Sequence, residues 1–257
     1  MNLNIILGAI LTFFAIYFGA PELRNDFGLY LRGDAFILVI GGTIASTMTG
    51  VSIKEFGGIF KVVRVILFGS KNQLDIVGAI NTMISVSEAA QSTSKQNLGA
   101  SFAGKDGFLD RGLEMVAAGI EKDFIDQTLE TDISELVKRH NKMTNVIRTM
   151  GSYCPMFGML GTILGVIQVL KDVSSIDTII AGMSLALLTT LYGLFFSSII
   201  FIPLTNKLKS LSNDEKLSKE IIREGILLVM DKEIPLKVEK YLTSYITSNE
   251  KEKFAKS

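Results

Sequence analysis

The chain has 257 residues, 48% of them hydrophobic, and its 26 basic residues are matched by 26 acidic ones, leaving no formal net charge. That length would suit one soluble domain, but the charges are distributed so as to leave long uncharged apolar runs, which excludes a simple soluble fold. Cys154 is the only cysteine, so no intrachain disulfide is possible; beside Pro155 in an apolar run it reads as a buried, inert thiol.

The first uncharged run, Met1 to Pro21, lacks the basic start and the cleavage site of a secretory signal and is expected to be a retained, lipid-facing span over about Asn4 to Ala20. The second, Ala35 to Ile53, carries Gly41-Gly42-Thr43 followed by Ala45 and Ser46. A glycine pair in an apolar helix marks close packing, and the Gly-Lys-Ser/Thr ending of a phosphate loop is missing. Val51 to Gly69 is amphipathic, with Lys54, Lys61 and Arg64 on one side, and predicts a helix lying along the membrane surface. From Gln73 to Lys95, Leu74, Val77, Ile80, Ile84 and Ala89 recur at helical spacing, and the Gly- and Ser-rich NLGASFAGKDG then predicts a loop. A helix restarts over Phe108 to Ile120.

From Asp123 onward, Ile125, Leu129, Ile133, Leu136, His140, Met143 and Ile147 recur every three or four residues and lead without a break into a third uncharged run. This predicts one helix from about Asp123 to Leu170, roughly 70 Å long at 1.5 Å per residue. His140, the only histidine, falls on that stripe and reads as a packing residue rather than a ligand or proton relay.

No charge occurs between Arg148 and Lys171, nor between Asp177 and Lys207. Each interval spans the ~20 residues a membrane-crossing helix needs, and the link KDVSSID makes the pair a tight hairpin. Gly158, Gly161, Thr162 and Gly165 share one face of the first of these spans; Gly182, Ala186, Thr189, Thr190, Gly193 and Ser197 form a stripe on the second. Two readings fit these stripes. One is ordinary close packing of helices in lipid; the other is an ion-lined seam to which Thr162, Thr189 and Thr190 offer oxygens. Neither span holds Asp, Glu, Lys, Arg or His. If ions cross here, the titrating group must come from another chain.

The fourth span is expected to continue out of the membrane through Leu208, Leu211, Leu217, Ile221, Ile222 and Ile226 to Met230, to be stopped by Pro235, and to be followed by a short helix over Leu236 to Ile246 and a charged, disordered tail, SNEKEKFAKS. Pro155 and Pro203 each remove a backbone donor from a long helix. A tolerated membrane kink and a hinge coupling membrane seam to soluble half account for them equally well.

Basic residues set the orientation. Segment 22–34 holds two, 54–148 twelve, the hairpin link one and the tail eleven. Basic residues stay on the cytoplasmic side, which places the middle segment, the tail and both termini in the cytoplasm and both short links outside, in a chain embedded in the bacterial cytoplasmic membrane. The twelve basic residues of 54–148 face twelve acidic ones, which argues against nucleic acid or a polybasic lipid anchor. The expected protein is all-α with four spans: residues 1–53 carry spans one and two, 54–146 a cytoplasmic helical insert, 147–206 spans three and four, and 207–257 a cytoplasmic helical tail, with the last two spans extending into the cytoplasmic domain.

The residues CPMFGMLGTILGVIQVL of span three and MSLALLTTLYGLFFSSIIFIPLTNKL of span four closely resemble the corresponding spans of the bacterial flagellar stator subunits of the MotA family. The ILG of span one, the VIGGT of span two and the large insert between spans two and three fit as well. The wider superfamily includes the TolQ and ExbB energisers, which typically have three spans, so the four-span layout favours the stator branch. The resemblance implies a pentameric ring around the paired single-span helices of a MotB-like partner whose membrane Asp binds and releases H+ or Na+. On this resemblance Thr162, Thr189 and Thr190 line the ion route, Pro155 and Pro203 couple ion passage to movement, and the protein is no enzyme and holds no cofactor, the ion being its cargo. The family also presents a basic and then an acidic residue to the rotor protein FliG. Here EAAQSTSKQNLGASFAGKD departs from that pattern: Glu88 and Asp106 are the nearest acids and Lys95 the nearest cation, with Arg111, Glu114 and Lys122 as alternatives. An energiser of another envelope or gliding process, and a self-contained transporter or enzyme, are the competing readings; the last finds no chemical motif in the chain.

Overall fold

The computed structural model describes residues 3–19, 21, 25, 27–53, 55–59, 74–92, 102, 104, 106–247 and 251. The expected amphipathic helix beyond residue 59, the NLGASFAGKDG loop apart from four of its residues, Lys95 and nearly all of the charged tail lie outside them. Among the described residues every regular element is a helix. They are α1 (Leu3–Gly19), α2 (Gly33–Phe36, continued by a π turn at Ile37–Gly41 into Gly42–Gly50), α3 (Ile76–Ser92), α4 (Gly107–Ala117), α5 (Lys122–Lys171), α6 (Ile176–Phe195), α7 (Ile202–Met230) and α8 (Pro235–Leu242). A π turn at Phe196–Phe201 joins α6 to α7. Among the described residues three stretches are long and apolar enough to cross a membrane: Phe27–Gly50, Lys122–Lys171 and Ile176–Met230. The remaining expected span, span one, corresponds to α1, which has 17 residues.

Residues 1–69 and 141–209 form one compact unit, and residues 70–140 and 210–257 a second. In the first, α5 and α6 face each other through their small residues. A Cβ on Gly158 would lie 3.0 Å from the Thr189 carbonyl, one on Gly182 2.7 Å from the Gly165 carbonyl, and one on Gly193 2.6 Å from the Cys154 carbonyl. Phe157 of α5 lies flat where a side chain on Gly42 would be, so the glycine pair of α2 seats an aromatic ring. Leucine, isoleucine and methionine on the other faces, such as Met159, Ile163, Ile167, Met183 and Leu187, are exposed.

The second unit is built as a water-soluble bundle. Ile80 and Met83 of α3, Leu109 and Leu113 of α4, Ile125 and Leu129 of α5, and Ile221, Ile222 and Ile226 of α7 make one buried core, closed by Val238 and Leu242 of α8. Asp106 caps α4 by accepting from the Phe108 amide at 2.8 Å. That helix ends where Gly119, at φ +74, lets the amides of Gly119 and Ile120 turn back to the carbonyls of Val116 and Met115. Pro235 was expected to stop the long helix; it instead opens α8 at its first position. The stop is Lys232, at φ 57, whose amide and that of Glu233 return to Val229 and Leu228.

Candidate functional site

The three threonines of the expected seam occupy different environments. Thr189 is fully buried and fills the space in front of Gly161, its hydroxyl donating to the Leu185 and Ala186 carbonyls at 2.8 and 3.0 Å. Thr190 and Thr162 are half-buried. Their hydroxyls donate to the Ala186 carbonyl at 3.2 Å and the Met159 carbonyl at 2.6 Å. Each threonine hydroxyl keeps its oxygen lone pairs as acceptors, but only Thr162 and Thr190 hold theirs where a visiting group could reach. Gly158, Gly161, Gly165, Gly182 and Gly193 all stand at the α5–α6 contact, where side chains would collide with the facing helix.

Pro155 lies inside α5. It has no N–H to give the carbonyl four residues back, that of Gly151. The Ser197 hydroxyl, from the π turn after α6, donates to this carbonyl at 2.6 Å. Ser197 is buried, at 3% exposure. Pro203 follows the same π turn and has no N–H to give the carbonyl four residues back, that of Ile199. A cleft of about 370 Å³ lined by Arg148, Gly151, Ser152, Pro155, Ser197 and Asn206 opens beside the bond. At ~30 Å³ per water it has room for several.

Other contacts escaped a reading of the chain alone. Arg32 is one of the two basic residues of segment 22–34. Its guanidinium donates to both carboxylate oxygens of Asp34, at 2.8 and 3.0 Å, and to the Ala181 carbonyl of α6 at 2.8 Å. The Tyr192 hydroxyl accepts from the Arg32 amide at 2.9 Å and donates to the Tyr30 carbonyl, while Phe36 sets its ring edge against Tyr192 and Phe196. The link before α2 is thus fastened to α6. Cys154 is buried and receives a long contact from the Thr43 hydroxyl at 3.4 Å.

The charges considered for a rotor contact lie in the second unit. Glu88 and Glu114 are exposed, Arg111 is paired with Asp132, and Lys122 is paired with Asp231 at 2.5 Å. Lys95 lies outside the described residues. Asp106 is not available for an external contact: it is buried and held by Lys219, whose ammonium is 2.6 Å from both carboxylate oxygens. His140 is half-buried, its Nδ1 3.1 Å from the Ser212 hydroxyl and its Nε2 3.8 Å from Glu215, a polar helix-to-helix contact that the stripe did not distinguish from apolar packing.

Against known proteins, residues 100–221 match the model of the MotA/TolQ/ExbB proton channel family. The chain is 26% identical to the chemotaxis protein PomA of Vibrio alginolyticus, over 98% of each chain. It is 29% identical to motility protein A of Bacillus subtilis, over 99% of this chain and 94% of that one. The structure of the flagellar MotAB stator complex from Bacillus subtilis superposes with a TM-score of 0.87 at 28% identity, covering 97% of this chain and 98% of the other. By the match of residues 100–221 and by near full-length similarity in sequence and fold, the chain is a membrane protein similar to the MotA/TolQ/ExbB proton channel family.

Proposed function

We propose that this chain is the ring-forming stator subunit of a flagellar motor and that, with a MotB-like partner, it couples the passage of H+ or Na+ to rotation. One observation carries the reading: residues 149–170 and 178–206, which hold the hairpin's membrane-crossing part, contain no Asp, Glu, Lys, Arg or His. A cation crossing hydrocarbon needs a charged or strongly polar partner, so the group that loads and releases it belongs to a second chain. The Bacillus subtilis relative of matching length and fold is a two-component MotAB complex, in keeping with that requirement.

In this proposal five copies surround the partner's paired helices in the bacterial inner membrane, with both termini and the second unit in the cytoplasm. The ion neutralises the partner's Asp, the ring steps, and the ion leaves inward. Thr162 and Thr190 offer oxygens along the route, and Thr189 keeps α5 and α6 at the spacing the route needs. Pro155 and Pro203 give the helices their hinge. Torque passes to FliG through charges of the second unit, with exposed Glu88 and Glu114 and the basic Lys95 as its first contacts; Arg111 could join only by leaving Asp132. The protein binds no cofactor, and lipid covers its outer apolar faces.

The test is to express the chain with a MotB-like partner in a strain lacking its own stators. Swimming should be restored, and Thr190→Leu should abolish it while the purified ring stays intact. Undiminished swimming in that variant would remove Thr190 from the route. Replacing external Na+ by K+ identifies the ion: unchanged speed with sensitivity to a protonophore means H+.

A further inference from the structure

The hydroxyls of Thr43, Thr47, Thr190 and Thr205 each donate to the carbonyl four residues earlier in their own helix, at 2.6, 2.7, 3.2 and 2.8 Å. This is the usual way a hydroxyl is satisfied where water is absent. Ser197 turns away from its own helix and donates to Gly151 on α5. The target is the carbonyl that Pro155 leaves without its helical amide, and Gly151 is buried. An unpartnered buried carbonyl costs about 1–3 kcal/mol, so the proline is tolerated here because another segment supplies the donor. Gly151 also permits the approach: a Cβ there would sit 3.2 Å from that of Phe201.

We propose that Ser197 is the positioning residue that makes the two proline sites one mechanical element. Its hydroxyl stands in for the amide missing at Pro155, and its place in the π turn before Pro203 ties the bend of α5 to that of α6–α7. A change of angle at either proline therefore shifts the other through a single hydrogen bond. Without that bond the helices still pack through Gly193, whose Cα faces Cys154 and Pro155, but they bend separately. The part of this inference that concerns transmission of movement rests on the stator reading; the part that concerns the bond does not.

The experiment is a cycle of Ser197→Ala and Pro155→Ala in the complete assembly with its partner. Pro155→Ala gives Gly151 a helical amide again. Ser197→Ala should lower the melting temperature of the ring in the Pro155 background and leave it unchanged in the Pro155→Ala background. In glycine-labelled rings the Gly151 carbonyl carbon resonance should move on Ser197→Ala and return on Ser197→Thr, the variant that keeps the hydroxyl. Swimming should slow roughly five- to tenfold in Ser197→Ala, the effect of one lost hydrogen bond, at unchanged ring abundance, and recover in Ser197→Thr. An equal melting cost in both backgrounds, or an unmoved Gly151 resonance, would overturn the bond's assigned role. A confirmed bond with full swimming in Ser197→Ala would overturn its part in transmission. If the unaltered chain and its partner fail to drive swimming at all, the motor reading fails, and the melting cycle still judges Ser197.

Discussion

In the unit formed by residues 1–69 and 141–209, the helices meet through Gly158, Gly161, Gly165, Gly182, Ala186 and Thr189, and large apolar side chains such as Ile163 and Leu187 point outward. In the unit formed by residues 70–140 and 210–257 the arrangement is inverted: Ile80, Met83, Leu129, Ile222 and Ile226 are fully buried, and Glu88 and Glu114 are exposed. The difference follows from the solvent. Burying an isoleucine away from water is worth ~1.5–3 kcal/mol, but burying it away from lipid tails yields almost nothing. In the membrane unit the favourable term is instead the close dispersion contact that glycine permits.

The largest expected effect comes from breaking that contact. A Cβ on Gly165 would run into the Gly182 carbonyl and lie 2.8 Å from the Ala186 amide, and both are backbone atoms that cannot step aside. Gly165→Val should therefore prevent α5 and α6 from pairing, seen as loss of the ring on native gels of membrane extracts. Gly8→Ala is the control, since nothing lies within 4 Å of its Cβ; helix propensity makes it neutral or slightly favourable. Ring loss in both, or in neither, would separate the glycine stripe from the packing of this unit.

The next effect belongs to the water-soluble unit. Lys219 and Asp106 are a desolvated ion pair, with side-chain exposures of 7% and 1%, and Asp106 also caps α4. Lys219→Met leaves the carboxylate buried alone and should cost about 3–5 kcal/mol, read as a lowered denaturant midpoint for this unit. Adding Asp106→Asn removes the stranded charge and should restore much of the loss. Arg111→Ala, which breaks a pair with Asp132 at the surface, should cost no more than ~1 kcal/mol. If the double variant were as unstable as Lys219→Met, the cap rather than the charge would be the larger contribution.

What could be read in the chain, and what could not, divides along the same line. The stripe Ile125 to Ile147 runs into an uncharged interval, and the helix Lys122–Lys171 follows it, because a 3.6-residue period survives over fifty residues without correction. The stripes of small residues were equally plain. The π turns at Ile37–Gly41 and Phe196–Phe201 were not, since a single widened turn shifts the phase of everything after it and leaves no compositional mark. The position of Pro155 identifies the orphaned carbonyl by counting back four, but not its donor. Partners far apart in sequence, such as Lys219 with Asp106 and Arg32 with Ala181, are brought together by packing of whole helices. Pro235 was misread because a proline both ends one helix and begins the next equally well, and the terminating geometry fell on Lys232, a residue with no special preference for it.

The smallest effect tests the water-soluble unit alone. Tyr245 is half-buried, with its ring centroid 5.9 Å from that of Tyr241. Burial first, then the hydrogen bond with Tyr241 and the negative charge of Glu224, push its phenol up from 10.0 to about 12. The fold thus favours the neutral phenol. Its contribution is complete below pH 10, declines once the unfolded chain can ionise there, and is gone as pH rises through about 12. Tyr245→Phe keeps the ring and removes the ionisation together with the Tyr241 hydrogen bond, so the variant should start slightly less stable at neutral pH and then decline less than the unaltered protein across that window. The difference will be small, because water reaches half of the side chain and screens its neighbours. Melting curves of the two proteins at stepped alkaline pH measure it, and parallel declines would mean that the phenol ionises as readily in the folded protein as in the unfolded chain.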